Sequence, residues 1–468
     1  MALHQGRHVV AEGSGDRSSV IRDVSLLRRD VLKLGLASGL GALASCAHRT
    51  SHRPVLTFWT LALSPFFDDF IAERIGVFRT AHPNVDVKWV DVPYDALERK
   101  LVTAAAADRA PDVVNTPDLS FARFANRGAF ADLTPLLDGE TRGSYLPGAA
   151  SMCSIGGRTL ALPWYVNPQS LLVNTSLLES GGLSAQSLPS HWRDLVPLAK
   201  DFQDKTGSYL FSQPLGEESQ LPIMMLAEGL EFLREDGGKL RASLSDDRVV
   251  AYLSIWRNLY LAGALPREAA TRGHAHLTDL FQNGRLAAIN TGPNFLKRIK
   301  DAAPTVFEST IVKPGLVGDL GRIHMPVMAL SVLAKSRYPE LAAKLAAFMT
   351  NGESQTMLCK RAAVMPSVTK ALDDPFFTSQ IVEKVDEARK VAAMTVRDAV
   401  AFTPALGSWP ALRRSFEEQF KAVLLNGRDL RAAMTLVDDE WNAILSEEPS
   451  ASIGCVPRPK RLEGSRGA

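Results

Sequence analysis

The 468-residue sequence has little net charge, few cysteines and no long apolar run, and each scarcity argues against a class of protein. It holds 53 lysines and arginines against 51 aspartates and glutamates, so its net charge of +2 gives no electrostatic basis for a nucleic-acid partner. No run of about 18 apolar residues occurs, and no transmembrane helix is predicted. The 4 cysteines form no CxxC pair, which argues against zinc and thioredoxin-like sites.

Signatures of common enzyme and metal sites are also missing. The body of the chain contains no GxGxxG, GxSxG, HExxH or CxxCH motif. His274 and His276 form an HxH pair, but no acidic cluster follows in the sequence, so neither a metal nor another cofactor is expected. Two acidic residues that meet only in the fold would leave no motif, and an exported enzyme therefore stays an alternative.

The first 46 residues have the features of an export signal. Residues 34–44 form a mildly apolar run that is too short to span a bilayer but suits the apolar part of a signal peptide. Arg28 and Arg29 precede this run and resemble a twin-arginine signal. The run closes on the sequence LASC, which resembles the lipobox of bacterial lipoproteins. We therefore predict a signal peptide over residues 1–45 and lipidation of Cys46.

The export signal also predicts the compartment in which the protein works. The mature chain would act outside the cytosol, held by its lipid at a membrane surface on the periplasmic or cell-surface side. Residues 46–53 would form a short polar tether. Leu27 and Val31 depart from the usual twin-arginine pattern, so general secretion stays open. Whether Cys153 and Cys359 pair in an oxidising compartment also stays open, because the sequence does not show their separation.

Strand-like and helix-like segments alternate along the body of the chain. Residues 55–59 are β-rich, and residues 85–89 alternate apolar and polar side chains. Residues 94–108 are helix formers, and a short apolar strand follows. This alternation predicts βαβ units and a mainly parallel sheet. Further helices are predicted at 222–234, 246–262, 339–350, 411–425 and 429–445. Residues 449–468 are rich in Pro, Ser, Gly and Arg and are predicted to be a disordered tail.

Several motifs occur in a characteristic order. They are APDVV at 110–114, GAFADL at 128–133, LALPW at 160–164 with LLVN at 171–174, LPSHWRDL at 188–195, FQNGRLAA at 281–288 and the segment 331–366. Over residues 54–445 the chain thus resembles the extracellular solute-binding proteins of ABC sugar importers, family 1, the group that includes maltose-binding protein. His191 stands where that family has threonine, and Ala288 stands where methionine is common.

The resemblance implies an α/β fold of the periplasmic-binding-protein-like type II. Two α/β lobes would be joined by a hinge and would enclose a ligand cleft. The matched segments place lobe 1 at residues 54–163 and 288–325, and lobe 2 at residues 168–285 and 330–448. Both lobes are then discontinuous, so the chain crosses the hinge more than once.

The function implied by the resemblance is capture of a carbohydrate and its delivery to the membrane permease of an ABC importer by lobe closure. The protein would be a monomeric binding protein and no enzyme. A non-sugar solute is the alternative, such as a glycerol phosphate ester or a polyamine, and it would need fixed charges in the cleft. A receptor that signals without transport would share the whole site.

Sugars offer C–H faces and many hydroxyl groups, so a sugar site needs aromatic rings, amides and carboxylates. Trp59 ends the first predicted strand, and the resemblance implies that Trp164 and Tyr165 at the crossover between lobes, and Trp409 in the loop before a late helix, face the cleft. Seven polar candidates lie near strand ends, at the crossover or, for Glu228, in a helix: Asn115, Asp118, Asn167, Gln169, Glu228, Thr291 and Asn294.

Overall fold

The computed structural model describes residues 53–378, 382–448, 456–458 and 460–461. The predicted signal peptide, the lipidated Cys46 and the tether up to His52 lie outside these residues. The strands, in chain order, are β1 (Val55–Leu61), β2 (Asp86–Val92), β3 (Val113–Pro117), β4 (Ser154–Ile155), β5 (Arg158–Thr159), β6 (Leu162–Val166), β7 (Ser170–Asn174), β8 (Tyr209–Phe211), β9 (Leu233–Asp236), β10 (Lys239–Ala242), β11 (Leu286–Thr291), β12 (Thr310–Pro314), β13 (Val327–Val332) and β14 (Met365–Pro366).

The α-helices surround these strands. In chain order they are α1 (Asp68–Ala81), α2 (Leu97–Ala106), α3 (Asp118–Ala125), α4 (Gly139–Gly143), α5 (Pro147–Met152), α6 (Thr175–Ser180), α7 (Val196–Thr206), α8 (Leu221–Ala227), α9 (Asp247–Leu261), α10 (His274–Gln282), α11 (Phe295–Ala302), α12 (Pro304–Glu308), α13 (Pro339–Met349), α14 (Gly352–Arg361), α15 (Pro375–Thr378), α16 (Lys384–Thr395), α17 (Trp409–Asn426) and α18 (Leu430–Leu445). No helix in the described ranges is both long enough and apolar enough to cross a bilayer.

Local sequence explains several of these boundaries. The helix predicted over residues 339–350 is confirmed as α13, with Pro339 in its first turn and Leu345 on its buried face. The helix predicted over residues 222–234 is too long. It ends at Ala227 because Gly229 adopts a φ of 72°, a left-handed conformation that stops a helix.

Two open sheets form the centres of two lobes. Lobe 1 contains a six-stranded sheet in the order β14-β6-β13-β3-β1-β2, and lobe 2 contains a four-stranded sheet in the order β12-β7-β11-β8. β1 pairs in parallel with β2 and β3, whereas β13, β6 and β14 join that sheet antiparallel. Parallel pairing, predicted for most of the sheet, is found for β1 with β2 and β3 and for β8 with β11, and the other pairs are antiparallel. β13, which follows β12 of the other sheet, runs opposite to its neighbours β3 and β6.

The strand pairing also corrects the predicted lobe boundaries. β11 and β12 both bond to β7, so residues 288–314 belong to lobe 2 and not to lobe 1. β13 and β14 bond to β6, so residues 330–366 belong to lobe 1 and not to lobe 2. α13 and α14 pack on this sheet, while α17 and α18 pack on α9 and β10 beside lobe 2. The sequence motifs identify strands but not the strands that they pair with, and the predicted lobe boundaries were wrong because that information was missing.

Three chain segments lie side by side between the lobes, and we call them the crossing region: residues 166–170, 314–327 and 399–403. The first segment is hydrogen-bonded to the second, with Gln169 N donating to His324 O at 3.0 Å. The second is bonded to the third in both directions, through Met325 N to Val400 O and Val400 N to Ile323 O, each at 2.9 Å. Backbone hydrogen bonds thus hold these three segments in register.

The structure also describes the two body cysteines and part of the C-terminal segment. Cys153 and Cys359 are both buried and free, so no disulfide joins them. Of the tail predicted to be disordered, the structure describes residues 456–458 and 460–461. Val456 is buried, and the carbonyl of Lys460 accepts a hydrogen bond from Arg322 Nε at 3.3 Å.

Candidate functional site

A small pocket lies where β7 and β11 of lobe 2 meet the crossing region, with a cavity volume of about 30 Å³. Its polar lining consists mostly of amide side chains, and we call it the amide pocket. The polar residues that line it are Gln169, Gln213, Gln220, Asn290, Arg322 and His324.

Strand register positions two of these amides. β7 and β11 pair antiparallel, with Ser170 opposite Thr291, so Gln169 and Asn290 come together at the strand ends. Asn290 Nδ2 donates to Gln169 Oε1 at 2.7 Å, and Asn290 Oδ1 accepts the backbone N–H of Leu316 at 2.9 Å. Gly315 is required beside them, because a Cβ there would lie 2.5 Å from the carbonyl oxygen of Gln169.

The two ionisable residues of the amide pocket carry no unpaired charge. Burial lowers the pKa of His324 to about 4, so its imidazole is neutral at pH 7. Its Nδ1 accepts the backbone N–H of Phe402 at 3.2 Å. Arg322 is paired with the carboxylate of Asp398 at 3.2 Å. The pocket therefore presents hydrogen-bonding groups and one cation that is already paired with a carboxylate.

Asp118 is the acidic group on the lobe 1 side. It begins α3 directly after β3, and only 7% of it is exposed. Its carboxylate accepts the N–H of Leu119 at 2.8 Å and the hydroxyl of Thr403 at 3.1 Å. Burial raises the pKa of Asp118 to about 6, and these hydrogen bonds offset only part of the rise.

Two tyrosines accompany Asp118. Tyr94 follows β2, and burial of its hydroxyl end, together with the charge of Asp118, raises its pKa to about 12. Burial also raises the pKa of Tyr165 well above the usual range, with a smaller contribution from Tyr94. Asp118 and Tyr165 were predicted from the sequence, and Tyr94 was not. The sequence feature that could have identified Tyr94 as a candidate is its position just after a strand.

The three predicted tryptophans lie in the apolar core. Trp59 is 9% exposed, Trp164 is fully buried and Trp409 is 1% exposed. The ring of Trp164 lies 6.2 Å from that of Phe58, and the ring of Trp409 lies 6.0 Å from that of Trp441. This differs from the predicted cleft position. Trp164 lies on β6 and Trp409 begins α17, and because both rings are enclosed by the core we leave them out of the proposed site.

Four of the remaining predicted residues bond within the protein. Asn115 Nδ2 donates to the carbonyl of Ala329 at 3.1 Å, which links β3 to β13. Asn167 Nδ2 donates to Asn294 Oδ1 at 3.1 Å. Thr291 Oγ1 lies 3.0 Å from His274 Nε2. Asn167 and Asn294 enclose Gly292, where a Cβ would lie 2.4 Å from each side chain.

Glu228 lies behind the wall of the amide pocket. Its buried carboxylate accepts hydrogen bonds from Trp192 Nε1 and, at 3.1 Å, from Arg193 Nη2. His191 and Asp319 lie close by, and the three groups offer ligand atoms within 4.8 Å of one another. His191 Nδ1 accepts the N–H of Arg193, so Nε2 carries the ring proton and points it at Asp319, 3.2 Å away. This tautomer favours a hydrogen-bonded pair over a metal ligand.

The structure therefore brings together only part of the predicted site. Gln169 lines the amide pocket, and Asp118 and Tyr165 each lie near Tyr94 on the lobe 1 side. Sequence reasoning missed Gln213, Gln220, Asn290 and His324 as candidates. Glutamines in loops and at helix starts are common, and only the fold shows that these converge.

Comparison with known proteins gives consistent findings. The family model described as bacterial extracellular solute-binding protein matches residues 62–356. A solved structure from Synechococcus sp. MITs9220, described as a candidate oligosaccharide periplasmic-binding protein, is 30% identical. It has a TM-score of 0.76 and covers 84% of this chain and 100% of that chain.

Two curated proteins from Streptomyces are also similar. An uncharacterised lipoprotein encoded in the oleD 5′ region of Streptomyces antibioticus is 27% identical over 74% of this chain and 78% of its own length. The diacetylchitobiose-binding protein DasA of Streptomyces coelicolor is 20% identical over 90% of this chain and 99% of its own length.

Proposed function

Because the chain belongs to the bacterial extracellular solute-binding protein family, we propose that it captures a carbohydrate outside the cytoplasm and delivers it to the permease of an ABC importer. The observation that carries this proposal is the amide pocket at the crossing region. Amides both donate and accept hydrogen bonds, as the hydroxyl groups of a sugar require. Solute-binding relatives named for oligosaccharides support the same ligand class.

The charges of the site favour a neutral solute over the alternatives. A glycerol phosphate ester would need unpaired cations, but Arg322 is paired with Asp398 and His324 is neutral at pH 7. A polyamine would need several carboxylates, whereas Asp118 is the one carboxylate described at the site. A single buried carboxylate suits the hydroxyl donors of a sugar, since it accepts hydrogen bonds at both oxygens.

Lobe closure would couple capture to delivery. The amide pocket belongs to lobe 2, and Asp118 with Tyr165 belongs to lobe 1, so a ligand that contacts both favours the closed arrangement. Gln169 and His324 lie in the crossing region itself and would sense that movement. The permease would then distinguish loaded from empty protein by the relative position of the lobes.

We further propose that the mature protein is a lipid-anchored monomer. Cys46 would carry the lipid, after export by the twin-arginine or the general route. The Streptomyces antibioticus relative, which is named a lipoprotein, supports this anchor. The test is detergent phase partition of the exported protein: the native chain should enter the detergent phase, and Cys46→Ser should stay in the aqueous phase. Equal partition of both would contradict lipidation at Cys46.

The family consists of binding proteins, and we propose that this member turns over no solute. The test of function is thermal unfolding of the chain from Ala47 onward with mono- and oligosaccharides, sugar alcohols, phosphate esters and polyamines. A ligand at about 100 times its dissociation constant adds about 2.7 kcal/mol to the free energy of unfolding. A shift with one saccharide class is expected. A shift with charged solutes alone, or chemical conversion of any solute, would overturn the proposal.

A further inference from the structure

Residues 456–458 and 460–461, which we call the docked tail, lie against lobe 2. Val456 is 6% exposed and belongs to the same apolar cluster as Leu226, at the end of α8, and Leu230. With its two following neighbours, Val456 lines a cavity of about 260 Å³ whose other walls include Leu320. Removal of an apolar side chain from water is favourable, so Val456 anchors the docked tail to lobe 2.

Arg322 joins the docked tail to the crossing region. Its Nε donates to the carbonyl oxygen of Lys460 at 3.3 Å. Its Nη1 donates to the carbonyl oxygen and to the carboxylate of Asp398, each at 3.2 Å. A guanidinium presents its N–H groups as a rigid planar fork, so this one side chain fixes the two residues relative to each other. Arg322 lies in the second segment of the crossing region, and Asp398 directly precedes the third.

The backbone bonds between these two segments begin next to this fork. Ile323 follows Arg322 and accepts the N–H of Val400, which lies two residues after Asp398; Val400 in turn accepts the N–H of Met325, and both bonds are 2.9 Å long. The second segment leads from β12 of lobe 2 to β13 of lobe 1. A movement of one lobe relative to the other therefore changes the backbone angles of this segment.

The guanidinium of Arg322 also belongs to the wall of the amide pocket. Its side chain is only 20% exposed, and the acceptors described for it are on Lys460 and Asp398. Its hydrogen bonds are thus directed to the docked tail and to the crossing region. Arg322 is suited to hold the wall of the pocket in place more than to bind a solute directly.

We propose that Arg322 is a positioning residue, and that the docked tail, acting through Arg322, restrains the crossing region and with it the movement of the two lobes. Without this contact the protein would sample a wider range of lobe arrangements. A solute that favours one arrangement would then bind with a different affinity, although its own contacts are unchanged. The inference does not depend on the chemical class of the solute, and it stands or falls independently of the proposed carbohydrate function.

The test is hydrogen exchange of the unliganded chain from residue 47 onward, followed by mass spectrometry. Val456→Asp places a charge in the apolar anchor, and Arg322→Ala removes the fork. In both variants the amides of residues 323–327 and 399–403 should exchange about fivefold to tenfold faster than in the native protein, because their hydrogen bonds open more often. Helix α13 of lobe 1 should exchange at its native rate.

Two further variants complete this experiment. Lys460→Ala is the matched control, because Arg322 bonds to the backbone carbonyl of that residue and the substitution leaves the carbonyl in place. It should exchange as the native protein does. A chain that ends at Glu448 lacks the docked tail without placing a charge in the core, and it should show the same faster exchange as Val456→Asp.

The second measurement is the distance between the lobes, obtained by pulsed electron paramagnetic resonance. Spin labels are attached at Lys335→Cys in lobe 1 and Leu261→Cys in lobe 2, which are both exposed positions. The labelled protein also carries Cys455→Ser, and the two body cysteines are buried. Val456→Asp should broaden the distribution of distances, because the lobes are then less restrained.

Three outcomes would overturn the inference. The first is native exchange of the crossing region both in Arg322→Ala and in the chain that ends at Glu448. The second is equal acceleration in α13, because the docked tail would then support the whole fold and not the crossing region. The third is an unchanged distance distribution despite faster exchange, because the restraint would then not reach the lobes.

Discussion

The side-chain amide of Asn290 donates to Gln169 at 2.7 Å and accepts the N–H of Leu316 at 2.9 Å, so one residue joins two strand ends to the crossing region. Asn290 is 8% exposed, and water cannot easily replace these partners. Removing one partner leaves a buried polar group unsatisfied, which costs about 1–3 kcal/mol.

Asn290→Ala should therefore lower the free energy of unfolding by about 1–3 kcal/mol and weaken solute binding, because both Gln169 and the Leu316 N–H lose a partner. Urea denaturation gives the first quantity, and calorimetry gives the second. Asn258→Ala, at an exposed position of α9, is the control and should stay within about 0.5 kcal/mol. Equal behaviour of the two variants would contradict the role of Asn290.

Asp118 should make stability fall as pH rises. Burial raises its pKa from 3.8 to about 6, so the folded protein holds this proton more tightly than the unfolded chain. Its contribution to the free energy of unfolding is full below pH 3.8 and is lost as pH rises through about 6. The loss is about 3 kcal/mol by linkage.

Urea denaturation between about pH 4 and pH 7 checks this contribution. The stability difference between the native protein and Asp118→Asn should shrink by about 3 kcal/mol as pH rises. Asp301→Asn, at an exposed site on α11, should show no such change. A difference independent of pH would mean that Asp118 is not held protonated by burial.

His324 should make the free energy of unfolding fall as pH falls, which is opposite to the effect of Asp118. Burial lowers its pKa from 6.5 to about 4, so the unfolded chain binds this proton more tightly than the folded protein. The stability from neutral His324 is full above pH 6.5 and is lost as pH falls to about 4, by about 3 kcal/mol. His324→Gln should remove that loss, and His82→Gln should retain it. Histidine NMR titrations that show His324 titrating near pH 6.5 in the folded protein would contradict the expectation.

Trp164 should affect stability and not ligand binding. Its ring is fully buried against Phe58, and Trp→Ala changes in a core cost about 3–5 kcal/mol. Trp164→Ala should lose about that much in urea denaturation and keep native solute affinity at low temperature, where it remains folded. A loss of affinity at full stability in Trp164→Ala would place that ring in the site.

The sequence predicted the lobed α/β fold and several helices, because ordered motifs and apolar periodicity are local signals. α13 and the strand before Asp118 illustrate this success. Strand partners were predicted less well. β11 pairs with β7 over more than a hundred intervening residues, and nothing in the sequence LAAINT specifies that neighbour.

Asp118 and Gln169 were predicted correctly as site residues because both their side-chain chemistry and their position along the chain indicate a ligand site. The prediction failed for residues whose role depends on the direction in which the side chain points. Trp164 is fully buried whereas Tyr165, the next residue of β6, is half-buried, and the sequence does not show this difference. Tyr94 was missed because an exposed tyrosine after a strand is an ordinary loop residue until the neighbouring strand end brings a carboxylate beside it.

The central position of β13 in the six-stranded sheet has a consequence for biosynthesis. β13 separates β6 from β3, so the sheet that begins the mature chain cannot be completed until residues 327–332 have been synthesised. The four-stranded sheet, in contrast, has all its strands once residue 314 has emerged. Lobe 2 can thus form its sheet first. Until β13 has been synthesised, β3 has an unpaired, apolar edge that could pair with another chain. A nascent chain of this protein therefore needs protection at β3 until β13 arrives.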